Sequence, residues 1–268
     1  MTKIITQKIK EMSYIDLVAF LGEDNYPPGG KDSVRILTQN CFITKNSIVL
    51  DIGCNTGYVS FEIARLVKCS VVGIDINKNM IKVAEKIRKT DPLSHLIKFK
   101  AANAMYLPFK KETFDIVISG GSTAFIDDKM RAIQEYKRVL KHWGFIGDIN
   151  FFYRVKPPIS LIKKLNSILE IQIQPWDLNY WMNLYEHCGL EKYFIYTSRS
   201  IPASCQDVEN YCSAMADKKH LSESAKQELK KKLIKIMDVF NENHKYLDYG
   251  IFIFRKKPNR EQAYLFGR

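Results

Sequence analysis

Asp51, Gly53 and Gly57 stand at the end of an apolar run, Ile48-Val49-Leu50, and Asp75 ends a second one, Ser70-Val71-Val72-Gly73-Ile74. Such short branched runs have the length of buried parallel strands. Glycines at a strand-to-helix turn let the backbone come close to a ligand, because no Cβ stands in the way. A helical pattern starts near Tyr58, so the turn opens onto a helix N-terminus. An acid roughly 20 residues past such a turn is where a doubly wound sheet holds a ribose by its hydroxyls. The stretch therefore reads as a nucleoside-cofactor site.

Leu50-Asp51-Ile52-Gly53-Cys54-Asn55-Thr56-Gly57, followed by Val72-Gly73-Ile74-Asp75, resembles motif I and the next acidic motif of the class I S-adenosyl-L-methionine (SAM) dependent methyltransferases. Within that family the chain is similar to the small-molecule type of ubiquinone and menaquinone biosynthesis. The family pattern is Asp/Glu-x-Gly-x-Gly-x-Gly, and Asn55 replaces its middle glycine. Asn tolerates the left-handed backbone region better than most residues. A dinucleotide fingerprint would need glycines where this chain has Asn55 and Tyr58, which favours a methyltransferase over a dehydrogenase.

The resemblance implies SAM as cofactor and S-adenosyl-L-homocysteine as product; the cysteine spacing gives no zinc signature, and no metal is expected. It implies cofactor contacts from Asp51, Gly53, Cys54, Asn55 and Gly57, from Asp75 on the ribose, and from Ile76 against the adenine. Ala102-Asn103-Ala104 with Leu107-Pro108-Phe109 resembles the family's Asp-Ala-x-x-Leu-Pro-Phe segment. It places Asn103 and Ala104 at the adenine edge, with Asn accepting the bond without charge assistance. Ser119 ends the fourth strand at the ligand-binding edge of an open sheet. Tyr26-Pro27-Pro28-Gly29-Gly30 resembles a loop that folds over the methionine end of SAM, where exposed backbone N–H groups make an anion site. Tyr26 would then border the methyl group. An ordinary surface turn is the competing reading of this loop.

The elements that must position these groups follow from the hydrophobic pattern. The expected fold is α/β: a Rossmann-like, seven-stranded, mostly parallel sheet with helices on both faces, an antiparallel last strand and helical lid insertions. Residues 1–40 are expected to form an N-terminal helical cap and 41–150 the SAM-binding core. Residues 151–257 supply strands six and seven with a lid around 200–244, and 258–268 a tail. Residues 2–21 read as one amphipathic helix stopped by Gly22. Leu140-Lys141-His142-Trp143-Gly144 reads as a turn into the fifth strand, with His142-Trp143 in place of the family's Pro-Gly.

A methyl on a sulfonium is already activated, so the task is to bring the acceptor in line and exclude water. A base is needed only for an acceptor that is protonated near neutral pH. The residues named for that role are His142, His187, Tyr26 and Tyr153, each set against a structural or surface reading. Aromatics Phe125, Phe151, Phe152, Tyr153, Trp176, Tyr180 and Trp181 suit either an acceptor lining or the core. Ser119-Gly120-Gly121-Ser122 stands where base-amino methyltransferases carry Asn/Asp-Pro-Pro-aromatic, which argues against adenine N6 or cytosine N4 chemistry.

Of the 268 residues, 46% are hydrophobic, enough for a sizeable core. No run approaches a membrane span of roughly 20 apolar residues. The six cysteines form no Cys-x-x-Cys pair, which suits a reducing cytoplasm. The net charge of +12 is spread along amphipathic helices and reads as solvated faces more readily than as a nucleic-acid site. The expected partner is a small-molecule acceptor taking the methyl on O, N, S or C. An RNA or peptide methyltransferase, and a SAM-binding protein without catalysis, are the alternatives. A homodimer is left open.

Overall fold

The computed structural model describes residues 2–22 and 26–258; residues 259–268 of the expected tail lie outside them. In chain order the helices are α1 (Thr2–Glu11), α2 (Tyr14–Leu21), α3 (Gly30–Asn40), α4 (Tyr58–Val67), α5 (Lys78–Arg88), α6 (Lys129–Val139), α7 (Ile159–Leu169), α8 (Leu178–His187), α9 (Cys205–Asp217) and α10 (Glu223–His244). The strands are β1 (Ile48–Ile52), β2 (Ser70–Asp75), β3 (Ile97–Ala101), β4 (Phe114–Ser119), β5 (Leu140–Tyr153), β6 (Glu191–Arg199) and β7 (Leu247–Arg255). They form one sheet in the order β3-β2-β1-β4-β5-β7-β6, the expected architecture. The first five strands pair in parallel. β7 runs against β5: Trp143 N–H donates to Lys256 O at 2.7 Å, and Lys256 N–H returns to Gly144 O at 3.0 Å.

The chain makes two compact units. One comprises Tyr26–Asn150, Asn179–Tyr196 and Gly250–Arg268; the other comprises Met1–Asn25, Phe151–Leu178 and Thr197–Tyr249. In the first, Val49, Val71, Ile97, Ile118, Ile149 and Ile253 of the strands pack with Val34 and Leu37 of α3 and with Phe61 and Ile63 of α4. Each such side chain contributes about 1.5–3 kcal/mol by leaving water. Because α3 shares this core, the boundary falls before Tyr26 rather than at residue 40. In the second unit, Ile9, Leu17, Val208, Cys212, Leu229 and Leu233 form the core of α1, α2, α9 and α10.

Two local expectations are corrected. Residues 2–21 are two helices, because Ser13 turns extended and its hydroxyl caps α2 by accepting from Asp16 N–H at 3.1 Å. The stop at Gly22 stands, with φ 64°. Nor is there an open turn before strand five. β5 runs unbroken from Leu140, absorbing Trp143 (φ 64°) in a bulge that shifts its register against β4 between Phe114 and Ile116. A Cβ on Gly144 would lie 2.5 Å from Asp115 O, so strand-to-strand approach is what requires glycine there.

Lys232 looked from its sequence context like part of a solvated basic face. In the structure its ammonium donates to Ile9 O, Lys10 O and Met12 O at 2.9, 2.8 and 2.5 Å. All of its protons sit on carbonyls that the end of α1 leaves unpaired. Lys232→Met, which keeps the aliphatic stem, is expected to destabilise this unit by about 1–3 kcal/mol. The check is hydrogen exchange, which should speed up in α1 before it does in β1.

Candidate functional site

Register sets the site. Ile52 lies beside Ile74 on one side and Ser119 on the other, Ser119 lies beside Asp148, and Asp75 beside Ala101. The C-terminal ends of β1, β2, β3, β4 and β5 therefore form one edge, and the chain turns sharply there after β1 and β4.

After β1 the backbone is left-handed at Gly53 (φ 62°), Asn55 (φ 52°) and Gly57 (φ 98°). Asn55 takes the conformation that its type tolerates. The turn is pinned to β2: Cys54 N–H donates to Ile74 O at 2.8 Å, and Asn55 N–H donates to Asp75 Oδ2 at 3.0 Å. Asn77 N–H donates to Asp75 Oδ1 at 2.8 Å. Each carboxylate oxygen thus holds one backbone amide and keeps a lone pair for a ligand hydroxyl. Burial raises the Asp75 carboxyl above the ordinary range, while the Asn77 and Asn55 amides pull it down. Beside this buried acid, Ile76 is 72% exposed, an apolar surface next to a polar anchor.

Asp51 is buried in β1 and accepts from Ser60 Oγ, in the first turn of α4, at 2.6 Å. Burial pushes its carboxyl from 3.8 up to about 7 against that bond. The folded protein therefore binds this proton more tightly than the unfolded chain does. The resulting stability is complete below pH 3.8 and is lost as the pH rises toward about 7. Asp148 is pushed up to about 6 and acts in the same sense. Asp51→Asn should flatten part of this decline, read as melting temperature against pH between about 4 and 7.

The loop before α3 comes to the same edge. A Cβ on Gly120 would lie 3.4 Å from Pro27, and one on Gly121 would lie 3.6 Å from Pro28, so Pro27-Pro28 rests on the turn after β4. The Tyr26 ring sits 4.3 Å from that of Tyr58, centroid to centroid. Helices α3 and α4 both begin on left-handed glycines, Gly29 and Gly57, N-cap residues that have no side chain of their own to cap the helix. Gly30 N–H closes the loop onto Pro27 O at 2.8 Å.

After β3, Asn103 Oδ1 accepts from Met105 N–H at 2.9 Å, which leaves one lone pair and the NH₂ for other partners. Ala104 follows, half-buried. After β4, Ser119 is buried and its hydroxyl is engaged within the protein. It accepts from Thr123 Oγ1 at 3.0 Å and lies 3.0 Å from Ser122 Oγ, which donates to Ile52 O. Asp148, fully buried, accepts from Tyr185 O–H and Asn150 Nδ2, both at 2.7 Å, and Tyr185 stacks on Phe254. Ser60, Thr123 and Tyr185 are thus parts of the site that no spacing in the sequence marks, since they reach it from α4, from the turn after β4 and from α8.

The histidines named as bases are elsewhere. His142 lies near the start of β5, at the opposite edge of the sheet, with Nε2 3.2 Å from Glu112. His187 ends α8 with Nδ1 2.6 Å from Asn183 O. The residues after it, Cys188 and Gly189, accept through their carbonyls from Lys137 at the last turn of α6, which leads into the same opposite edge. Tyr153 belongs to the helical unit; it is buried and donates its hydroxyl to Asn243 Oδ1 at 3.0 Å. Of the aromatics offered as a lining, Trp181 is wholly buried and Phe125 is exposed.

An acid on the second strand holding the glycine turn of the first, in a sheet ordered 3-2-1-4-5-7-6, is what the resemblance to the class I SAM-dependent methyltransferases implies. The comparisons agree. The family described as a methyltransferase domain matches residues 50–147. An uncharacterized protein of Haemophilus influenzae is 27% identical over 176 residues, 65% of this chain and 70% of that one. A demethylmenaquinone methyltransferase of Lactobacillus johnsonii is 31% identical over 121 residues, 44% of this chain and 50% of that enzyme. The chain thus spans about half the length of that enzyme. Among solved structures, the MccD protein superposes with a TM-score of 0.76 at 27% identity, over 87% of this chain and 100% of that one. Residues 50–147 of this chain are thus similar to a methyltransferase domain, and its fold is that of the MccD protein.

Proposed function

We propose that the protein transfers a methyl group to a small organic acceptor, and the bond from Asn55 N–H to Asp75 carries the reading. That bond holds the turn open with two lone pairs of a buried carboxylate free for vicinal hydroxyls, which fits a ribose. Ile76 then offers an apolar face to the adenine, and Asn103 and Ala104 offer its edge a hydrogen-bonding partner. Gly53, Cys54, Asn55 and Gly57 with the amide ends of α3 and α4 suit the methionine carboxylate, because helix N-termini that start on glycine favour an anion. Asp51 supports that turn through Ser60. Bound SAM supplies a methyl group activated by its sulfonium. The chain's own work is to hold, orient and keep out water. Tyr26, paired with Tyr58, and the exposed Phe125 offer aromatic surface at this edge for the acceptor.

The relative from Lactobacillus johnsonii bears the name demethylmenaquinone methyltransferase, which makes a ring-bearing acceptor a reasonable first choice. No helix among the described residues is long and apolar enough to cross a membrane. Cys41, Cys54, Cys69, Cys188 and Cys212 are buried free thiols, which supports a reducing, cytoplasmic setting.

The test is incubation with SAM and a panel of quinols, phenols, amines and thiols, with tRNA and a peptide alongside, reading S-adenosyl-L-homocysteine by mass spectrometry. Turnover with a small acceptor supports the proposal. Turnover only with the RNA or the peptide transfers the reading to that class. Tight SAM binding without turnover on any of them makes it a binding protein.

A further inference from the structure

On the edge of the sheet opposite the glycine turn, two bulky residues occupy backbone positions that glycine fits best. Phe42 follows the C-cap of α3 with φ 52°, held by Phe42 N–H on Gln39 O at 3.2 Å and Ile43 N–H on Thr38 O at 3.1 Å. This is where a helix usually ends on glycine. Trp143 sits in the β5 bulge with φ 64°, fixed by its own N–H on Lys256 O and by the Lys256 N–H on the next residue's carbonyl, Gly144 O. Aromatic residues with positive φ are outliers, and persist where the surroundings over-determine them. Neither ring repays this strain by burial: Phe42 is 59% and Trp143 51% exposed.

The two rings belong to one patch. The Phe145 ring lies 5.7 Å from that of Phe42 and 4.9 Å from that of Tyr193. The Arg255 guanidinium lies 5.1 Å from the Trp143 centroid and 5.4 Å from that of Tyr193. Phe42 and Trp143 border an open depression of about 330 Å³, room for one large side chain, with Ile116 and Asp115 in its wall. Exposed aromatics with a stacked arginine are the residue types that carry binding energy at protein interfaces.

Charge selects the occupant. Lys141 lines the depression with Asp115 2.7 Å away, Lys45 lies between the lining residues Thr44 and Asn46, and Arg255 and Lys257 share the one carboxylate of Glu191 at 2.6 and 2.7 Å, so the cations here outnumber the acids that hold them. A second copy would bring the same lysines against these on a chain of net charge +12. A nucleic-acid backbone would meet Asp115 and Glu112, which hold Lys141 at 2.7 Å and His142 at 3.2 Å. A peptide carries its anionic groups on separate side chains and can avoid both.

We propose that this patch docks an acidic polypeptide segment, which sets one apolar side chain between Phe42 and Trp143. The proposal is independent of the methyl acceptor. The test uses the full chain and a short labelled peptide of Asp and Glu around a single Phe. Alongside it run the same peptide with Ala for Phe, a Lys-based version, and a single-stranded oligonucleotide of equal charge. The acidic Phe peptide should bind and change Trp143 fluorescence, and both other peptides should bind at least about ten-fold more weakly. Trp143→Gly and Phe42→Gly fit the backbone already present, so each should keep the wild-type melting temperature within about 4 °C. Each should also keep its affinity for SAM while losing about ten-fold in peptide affinity. Equal binding by Trp143→Gly, equal binding of the Lys-based peptide, or tighter binding of the oligonucleotide would overturn the proposal. So would burial of the patch in a dimer seen by sedimentation.

Discussion

Asp75→Asn is expected to weaken SAM binding about 100-fold, with the fold retained. The carboxylate accepts from Asn55 N–H and Asn77 N–H through different oxygens, 3.0 and 2.8 Å away. An amide has only one oxygen, so its NH₂ must face one of these donors. Hydrogen bonds to a charged acceptor are each worth about 1.5–3 kcal/mol, and one lost bond together with a weakened ribose contact gives about 2.7 kcal/mol, or 100-fold. Calorimetric titration with S-adenosyl-L-homocysteine measures this directly. Asp115→Asn is the control, because Asp115 bonds Ile48 N–H and Lys141 at the other ends of these strands. It should leave the affinity unchanged. An unaltered affinity for Asp75→Asn would remove the carboxylate from the cofactor site.

Gly53→Ala should cost more in stability than any surface substitution. At φ 62° a Cβ is strained in itself by about 1–2 kcal/mol, and here it would also lie 2.2 Å from Ser122 Cβ. Ser122 has little room to yield, because its hydroxyl donates to Ile52 O and lies 3.0 Å from Ser119 Oγ. Relief must come from the turns after β1 and β4 together, at an overpacking cost of about 1–3 kcal/mol more. The expected total is about 2–5 kcal/mol, seen as a lower midpoint of urea unfolding. In a Ser122→Gly background, whose own loss of the Ile52 bond is the baseline, the clash is absent and only the strain remains, so Gly53→Ala should cost roughly half as much there. If it costs as much there as in the wild type, the side-chain clash is not the cause.

Much of this was legible along the chain. An apolar run followed by Asp51-Ile52-Gly53-Cys54-Asn55-Thr56-Gly57, and a second run ending on Asp75, name two neighbouring parallel strands and the turn between the first and its helix. Local rules fix those features: strand length, glycine's freedom and the reach of one carboxylate. The order of strands and helices follows from the same periodicity, and the helix start near Tyr58 and the stop at Gly22 from the glycines that flank them. What periodicity cannot give is the meeting of segments distant in sequence. His142 read as a candidate base until the register of β4 and β5 placed it at the far edge of the sheet, beside Glu112. Lys232 read as solvated until α10 packed on α1 and brought three carbonyls within reach of its ammonium. Ser60 beneath Asp51, and Tyr185 on Asp148, come from helices that cover the sheet. The sequence by itself determined the strands, the glycine turn and the acid that faces it, because strand length, glycine's backbone freedom and the residue that ends each run are properties of short local stretches. Only the tertiary structure decided which polar groups share a buried carboxylate and which aromatics share a patch, because those depend on which strand lies beside which.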